Sequence, residues 1–314
     1  MNERFLGEII RERRLELGLT IEKLSEGICS VSTLSRLENG DQEPTRENAR
    51  KILQRLGLND ERYYAAVSKE EIELNTLRKD ITALNMRYIK SQSKEEICEE
   101  LLKKQEELEK CIDDNDNITR QFLTISKMVI SKESPEEKIR QVLDAIKLTQ
   151  PRFEESKIRS GLFTFDDVKL INQLAGCYSQ MGNHKKAINI LEQLLKNIED
   201  RFDTIIPTVS NKTLVLYSLA RELLIIGDNK RAKSYAEEGK DLAVHYCAYI
   251  NLPGYLMILA ECEHRNANEQ ASIELITEAY YLCKIIGDEA NKKIIEDGFM
   301  EYYNRPIYEP FPSE

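Results

Sequence analysis

The sequence predicts an all-α chain, and three observations carry that prediction. Leu, Ile, Glu and Lys are abundant among 314 residues that include only 13 Gly and 8 Pro, a composition that favours helix over sheet. Apolar residues recur at steps of three and four, the period of a helix with one buried face. These stretches are also punctuated by N-capping Ser, Thr and Asp residues and by terminating Gly. The length exceeds one ordinary compact domain and fits a small domain joined to a larger helical array.

Composition also excludes several classes. With 32% charged residues, no window approaches the 18 or more apolar residues of a membrane span, and the charged opening from Met1 to Arg14 lacks a signal-peptide core. A cytoplasmic protein that does not touch membranes is expected. The seven cysteines, at 29, 98, 111, 177, 247, 262 and 283, form no C-x-x-C pair and read as buried, reduced thiols in helices. His184, His245 and His264 lack metal-ligand spacing, and Asp113, Asp114 and Asp116 lack the Gly and distal Glu of a calcium loop. No Gly-rich phosphate loop occurs. No metal, no cofactor and no enzymatic activity are expected.

Four short helices are predicted in the first sixty residues. The first runs from about Glu3 to Leu17, with Phe5, Leu6, Ile9, Ile10, Arg13 and Leu17 on one side, and stops at Gly18. Thr20 then caps Ile21 to Glu26, with Ile21, Leu24 and Ile28 apolar. Ser30 caps Val31 to Glu38, where Leu34 and Leu37 face inward and Asn39-Gly40 ends the helix. Pro44-Thr45 opens Arg46 to Leu56, packed through Ala49, Ile52, Leu53 and Leu56 and stopped by Gly57.

A short helix, a turn and a second short helix with a polar outer face is the arrangement of a helix-turn-helix, whose second helix enters the major groove of double-stranded DNA. The candidate DNA contacts are Thr20, Ser30, Ser32, Thr33, Ser35, Arg36 and Asn39. Arginine can donate a bidentate pair to guanine, and the short hydroxyl side chains can bond bases or phosphates. The run from Leu19 to Thr45, containing L-S-R-L-E-N-G and the following Pro44, resembles the phage-repressor or Xre type of helix-turn-helix. That resemblance implies a five-helix domain, a structural ion pair between Arg14 and Glu38, and phosphate contacts from Ser30 and Asn39. Charge argues against indiscriminate binding: the whole chain is at −10, and the first 60 residues carry ten Lys/Arg against eleven Asp/Glu. DNA contact therefore requires a segregated face and a homodimer that combines two modest ones.

Beyond Asn59 the pattern lengthens. Leu74, Leu77, Ile81, Leu84 and Tyr88 step by 3, 4, 3 and 4, a seam that suits either packing of a linker helix or a short dimerising coiled coil. Helix pairs follow: 70–90 with 94–112, 117–131 with 135–149, then three tetratricopeptide-like units. Leu174-Ala175, Tyr178, Gly182, Ala187 and Leu191 mark the first unit, and Leu219-Ala220, Gly227, Ala232 and Ala236 the second. Ile258, Leu259-Ala260 and Ala271 mark a third whose turn reads one residue shorter and lacks the Gly, and the last helices through Tyr303 cap the array.

Stacked pairs make a solenoid with a concave face suited to a peptide or partner helix. That face should present Asn172, Gln173, Gly176 and Gln180, then Tyr217, Ser218 and Arg221, then Met257, Glu261 and Arg265; amides and an arginine can bond a peptide backbone or its carboxylate. The combination resembles the peptide-sensing regulators of Gram-positive bacteria of the Rgg, PlcR and PrgX type. This resemblance implies a homodimeric regulator that binds a short signalling peptide through asparagines. Asn172 in Leu-Ile-Asn-Gln-Leu-Ala falls at one such place, with Ser218 read as its counterpart in the next unit. The organisation expected is a helix-turn-helix domain over 1–66, a linker helix over 67–90 and a tetratricopeptide-like sensor and dimerisation domain over 91–314. The competing reading is an adaptor whose repeats bind a protein instead of a peptide.

Overall fold

The computed structural model describes residues 6–58, 69–112, 116–202 and 206–307, and among them every regular element is helical. Helix α1 (Leu6–Glu16) ends one residue early; its expected start at Glu3 and Phe5 lies outside the described residues, and Leu17, expected on its packed side, is exposed because it follows the helix. Helices α2 (Ile21–Ser25), α3 (Val31–Glu38) and α4 (Arg46–Arg55) follow the expected patterns to within a residue. The fifth helix of this domain and the boundary at residue 66 lie outside the described residues. Ile10, Leu24, Leu34, Leu37, Ile52, Leu53 and Leu56 form one buried cluster. Gly18, Gly27, Gly40 and Gly57 all take positive φ in this domain. Arg14 donates to both oxygens of Glu38, at 2.6 and 2.7 Å, and to the Leu19 carbonyl at 2.8 Å. The expected structural ion pair is therefore present and ties α1 to the end of α3.

The chain divides into two compact units, 1–82 with 102–211 and 83–101 with 212–314. Two long helices, α5 (Lys69–Lys90) and α6 (Glu95–Lys110), follow α4 in the chain. On α5, Ile81 and Leu84 are buried inside the chain, so this part of the stepped seam packs intramolecularly.

In the first unit α7 (Asn117–Ile130), α8 (Pro135–Thr149), α9 (Phe165–Gln180) and α10 (His184–Phe202) pack each against the next. Asp116 accepts from the Thr119 amide at 2.9 Å and starts α7; Asp113 and Asp114 lie outside the described residues. Pro135 opens α8 behind its Ser134 cap, and Thr164 with Asp167 forms a reciprocal capping box at the start of α9. The fully buried Asn197 amide donates to the carbonyls of Ile158, Arg159 and Gly161, which fixes the segment before α9.

The helix-turn-helix domain is docked on this unit through a second, polar face of α4. Lys51 is fully buried and pairs with Asp166. Gln54 accepts from the Phe165 amide at 3.4 Å. Arg55 donates to Leu24 O at 2.9 Å, Glu26 O at 2.6 Å and Thr149 O at 3.0 Å. Both α2 and α8 thus end on one guanidinium, which complements the negative C-terminal poles of their dipoles. Thr149 also donates through its hydroxyl to Asp167 at 2.5 Å, and the Gln121 amide reaches the same carboxylate at 2.8 Å. Leu162 joins the core of the small domain. At the rim Arg152 holds Glu26 in a bidentate pair at 2.7 and 2.8 Å. Arg78 of α5 reaches Glu47 at 3.3 Å and lies over the Phe122 ring.

The second unit holds most of α11 (Ile206–Ile225) with α12 (Asn229–His245), α13 (Leu252–Arg265), α14 (Glu269–Ile286) and α15 (Glu289–Tyr303). Tyr255 of α13 is buried against Gly239 of α12 and bonds the Thr213 carbonyl of α11, so one side chain joins three helices.

The hairpin turns correct the repeat register. Gly182, Gly227 and Ala267 all take positive φ, each as the middle of three residues between its helices. The third turn is therefore not shorter; Ala267 takes the conformation that Gly supplies in the other two. The small residue at the close helix crossing is buried Ser272, the counterpart of Ala187 and Ala232, and Ala271 is only half-buried. The same register pairs Asn172 with Tyr217 and Met257, and Ser218 with Gln173, because each unit repeats its Leu-Ala pair eight and seven residues before the turn.

The cysteines are all free, with Cys177, Cys262 and Cys283 buried as expected. Burial pushes the Cys283 thiol up to about 12. Cys111 and Cys247 are exposed instead, because both follow a helix and lie in turns.

Two stability predictions follow from the buried charges. Glu38→Ala leaves the Arg14 guanidinium buried without its carboxylate and should cost about 3–5 kcal/mol in urea unfolding; an unchanged midpoint would contradict the pair's role. Burial alone would raise the Asp166 carboxyl, but Lys51, with Lys169, Arg50 and Arg78, holds it well below the ordinary 3.8. A depressed folded value means that its stabilisation is present above pH 3.8 and lost as pH falls through the lower, folded value. The stability gap between the wild type and Asp166→Asn should accordingly be equal at pH 7 and about pH 5 and shrink only in stronger acid. Urea titrations at three pH values test this, and a gap closing already at about pH 5 would contradict it.

Candidate functional site

The helix-turn-helix presents α3 with one apolar and one polar face because Leu34 and Leu37 enter the core while Ser32, Arg36 and Asn39 stay exposed. Steps of four and three place these three side chains in one stripe along the helix. Thr33 and Ser35 flank it and are half-buried. At the head of α3 the Ser30 hydroxyl accepts from the Thr33 amide at 3.0 Å and shares hydrogen bonds with the hydroxyls of Ser32 at 2.9 Å and Thr33 at 2.7 Å. A hydroxyl cluster over the positive pole of a helix suits a phosphate oxygen. Thr20 has the same capping role on α2, accepting from the Lys23 amide at 3.2 Å. The seven residues thus fall into three kinds: Thr20 and Ser30 set helix starts, Thr33 and Ser35 are half-buried flanks, and Ser32, Arg36 and Asn39 form the exposed polar stripe.

The candidate peptide residues divide by unit. On α9, Gln173 and Gln180 are exposed and Asn172 is half-buried, with its Oδ1 shielded from solvent and accepting no hydrogen bond. In the second unit, Tyr217 packs on Gly254 and meets Tyr255 edge-on at 5.9 Å. Ser218 is half-buried, and Arg221 is exposed with Glu222 at 3.5 Å. Met257 packs against the α13–α15 cluster. Glu261 accepts from Arg265 at 2.7 Å, and Arg265 also donates to Leu224 O and Asn229 Oδ1, each at 2.9 Å. Arg265 is therefore engaged in joining α13 to the α11–α12 turn.

The residues that sequence reasoning missed are Lys51, Gln54, Arg55, Thr149, Asp166 and Asp167. A signal existed on α4, where 51, 54 and 55 form a second stripe beside the apolar one. Charged and amide residues on that stripe look solvated in sequence. The capping box Thr164-x-x-Asp167 was likewise legible as a helix start, but not as a junction.

Among the described residues no cluster of His, Cys, Asp or Glu is arranged to hold a metal ion, and no helix is long and apolar enough to cross a membrane. Residues 10–62 match the Helix-turn-helix family. Among curated proteins no sequence match was found. Two solved structures are similar across nearly their full length. Bacillus thuringiensis PlcR, in complex with the peptide PapR7 and DNA, shares 20% identity over 92% of this chain and 98% of that one, with a TM-score of 0.59. ComR from S. thermophilus, in complex with DNA and its signalling peptide ComS, shares 16% identity over 94% of this chain and 99% of that one, with a TM-score of 0.51. The chain thus joins a helix-turn-helix domain to the all-helical fold that PlcR and ComR share.

Proposed function

We propose that this chain is a sequence-specific, DNA-binding transcription regulator of the cytoplasm that acts as a homodimer and responds to a short signalling peptide. The observation that carries the DNA half is the polar stripe of α3, with exposed Arg36 between Ser32 and Asn39 and a hydroxyl cluster at the helix head. Arg36 reads guanine; Ser30 and Asn39 position the backbone; Ser32, Thr33 and Ser35 contact base edges or phosphates. Thr20 orients α2 against the adjacent phosphate. The near-balanced charge of this region supports the dimer, since one domain alone has no net positive charge to attract DNA.

The peptide half is supported by the likeness to two regulators solved with peptide and DNA and by the orphaned Oδ1 of Asn172. An asparagine offers an acceptor and a donor, so it bonds both backbone groups of an extended residue without regard to its side chain. Gln173 and Gln180 extend that polar row on α9. Within the second unit, Tyr217, Ser218, Arg221, Met257 and Glu261 are the candidate peptide contacts, with Arg265 joining α13 to the α11–α12 turn.

Arg36→Ala should weaken binding to the DNA upstream of the protein's own gene by about 1–3 kcal/mol per half-site while leaving the melting curve unchanged. A gel shift at fixed salt measures this, and unaltered affinity would mean that α3 is not the reading helix. Asn172→Ala should shift the response of that gel shift to culture supernatant about 5- to 150-fold in the dose required, with binding in its absence unaltered. A wild type indifferent to supernatant would instead favour a protein-binding adaptor.

A further inference from the structure

Helix α9 carries two features within a few residues of each other. Its first turn holds Asp166 and Asp167, both buried. Asp166 pairs with Lys51 of the helix-turn-helix domain. Asp167 binds the hydroxyl of Thr149, whose carbonyl receives Arg55. The α9 entry amide, Phe165 N, is itself satisfied by Gln54. Roughly one and a half turns further on, about 7.5 Å along the axis, stands Asn172.

Close backbone approach seals the same junction. Gly27, in the turn between α2 and α3, takes φ of +73°, and a Cβ there would lie 2.0 Å from the Thr149 carbonyl oxygen. The turn of the helix-turn-helix is therefore seated directly on the end of α8. A packed interface of this kind, with buried ions on both sides, has discrete arrangements and does not slide.

We propose that α9 is the element that couples the peptide surface to the DNA-binding domain: its first turn clamps that domain in one orientation, Arg55 is the positioning residue of the clamp, and its next turns carry Asn172. The inference rests on the proposed function for its two ligands, but the clamp itself does not. The recognition stripe is left exposed by this docking, so the clamp orients α3 and does not cover it. A ligand that shifts α9 acts on the DNA-binding domain through Asp166 and Asp167, and by linkage DNA binding acts back on α9 with the same factor.

Glycine substitutions provide a matched test in the full-length chain. Gly27→Ala strains a positive φ and drives a methyl into Thr149. Gly18→Ala strains a similar φ of +63° in the same domain with nothing within 4 Å of its Cβ. Arg55→Lys keeps the charge but loses the planar fork that spans three carbonyls. Hydrogen exchange of the α9 amides, with and without the DNA upstream of the gene, and scanning calorimetry are the two readouts.

In the wild type and in Gly18→Ala, DNA should slow exchange along α9 and unfolding of the first unit should be a single transition. In Gly27→Ala and Arg55→Lys the exchange response should vanish, the helix-turn-helix domain should melt separately, and DNA affinity should fall about 5- to 150-fold. DNA binding by the wild type without any change in α9, or a full response in Gly27→Ala, would overturn the coupling. If the wild type bound no DNA at all, the proposed function would fail, and calorimetry alone would judge the clamp: separate melting in Gly27→Ala but not in Gly18→Ala upholds it, and a single transition in both overturns it.

Discussion

A guanidinium taken out of water must find acceptors, and most of the first unit is arranged around the acceptors found by Arg55. Its two terminal nitrogens reach three carbonyls, Leu24 and Glu26 at the end of α2 and Thr149 at the end of α8. Among the described residues no carboxylate forms an ion pair with it. Burial lowers its pKa to about 10, with Asp167 and Glu26 opposing that shift from a distance, so it remains charged at neutral pH. Two helix C-termini aimed at one cation stabilise it by their dipoles, and the geometry requires Gly27 at the seat of the contact. Removing the cation would leave those carbonyls facing one another without donors.

Around that contact the small domain is built economically. It has few apolar residues, and its cluster is completed by Leu162 from the segment that precedes α9. The Arg14–Glu38 pair connects its first and third helices where apolar side chains run out, and the positive-φ glycines end helices at short range. The outward result is a reading helix whose polar stripe is free while its neighbours are fixed. Pre-ordering of this kind reduces the entropy lost when a surface binds.

The hairpins behind it follow a different economy. Each buries a Leu-Ala pair on its first helix and a small residue on its second: Ala187, Ala232 or Ser272. Small side chains at the crossings let helices approach closely, and the intervening turn requires one left-handed residue. Ala267 accepts that conformation at some cost in strain, a cost that Gly avoids in the two earlier units. Tyr255 shows the complementary device, a large ring laid over Gly239 with its hydroxyl placed on a backbone carbonyl.

The sequence by itself determined the helical class, the four short helices, the polar stripe of α3, the Arg14–Glu38 pair and the existence of the later hairpins. Each of these depends on local signals: a period of three and four, a capping hydroxyl, a glycine after the last turn, a family motif. Residue 271 was misassigned by one position because an Ala in place of the turn Gly removed the marker that sets register. Only the tertiary structure decided that Lys51, Gln54 and Arg55 are buried, that Thr149 and Asp167 meet them, and that Arg265 is engaged with Leu224 and Asn229. A charged residue on a helix surface carries no mark of whether water or another helix will cover it. That is settled by which distant carbonyls and carboxylates the packed chain brings within hydrogen-bonding distance.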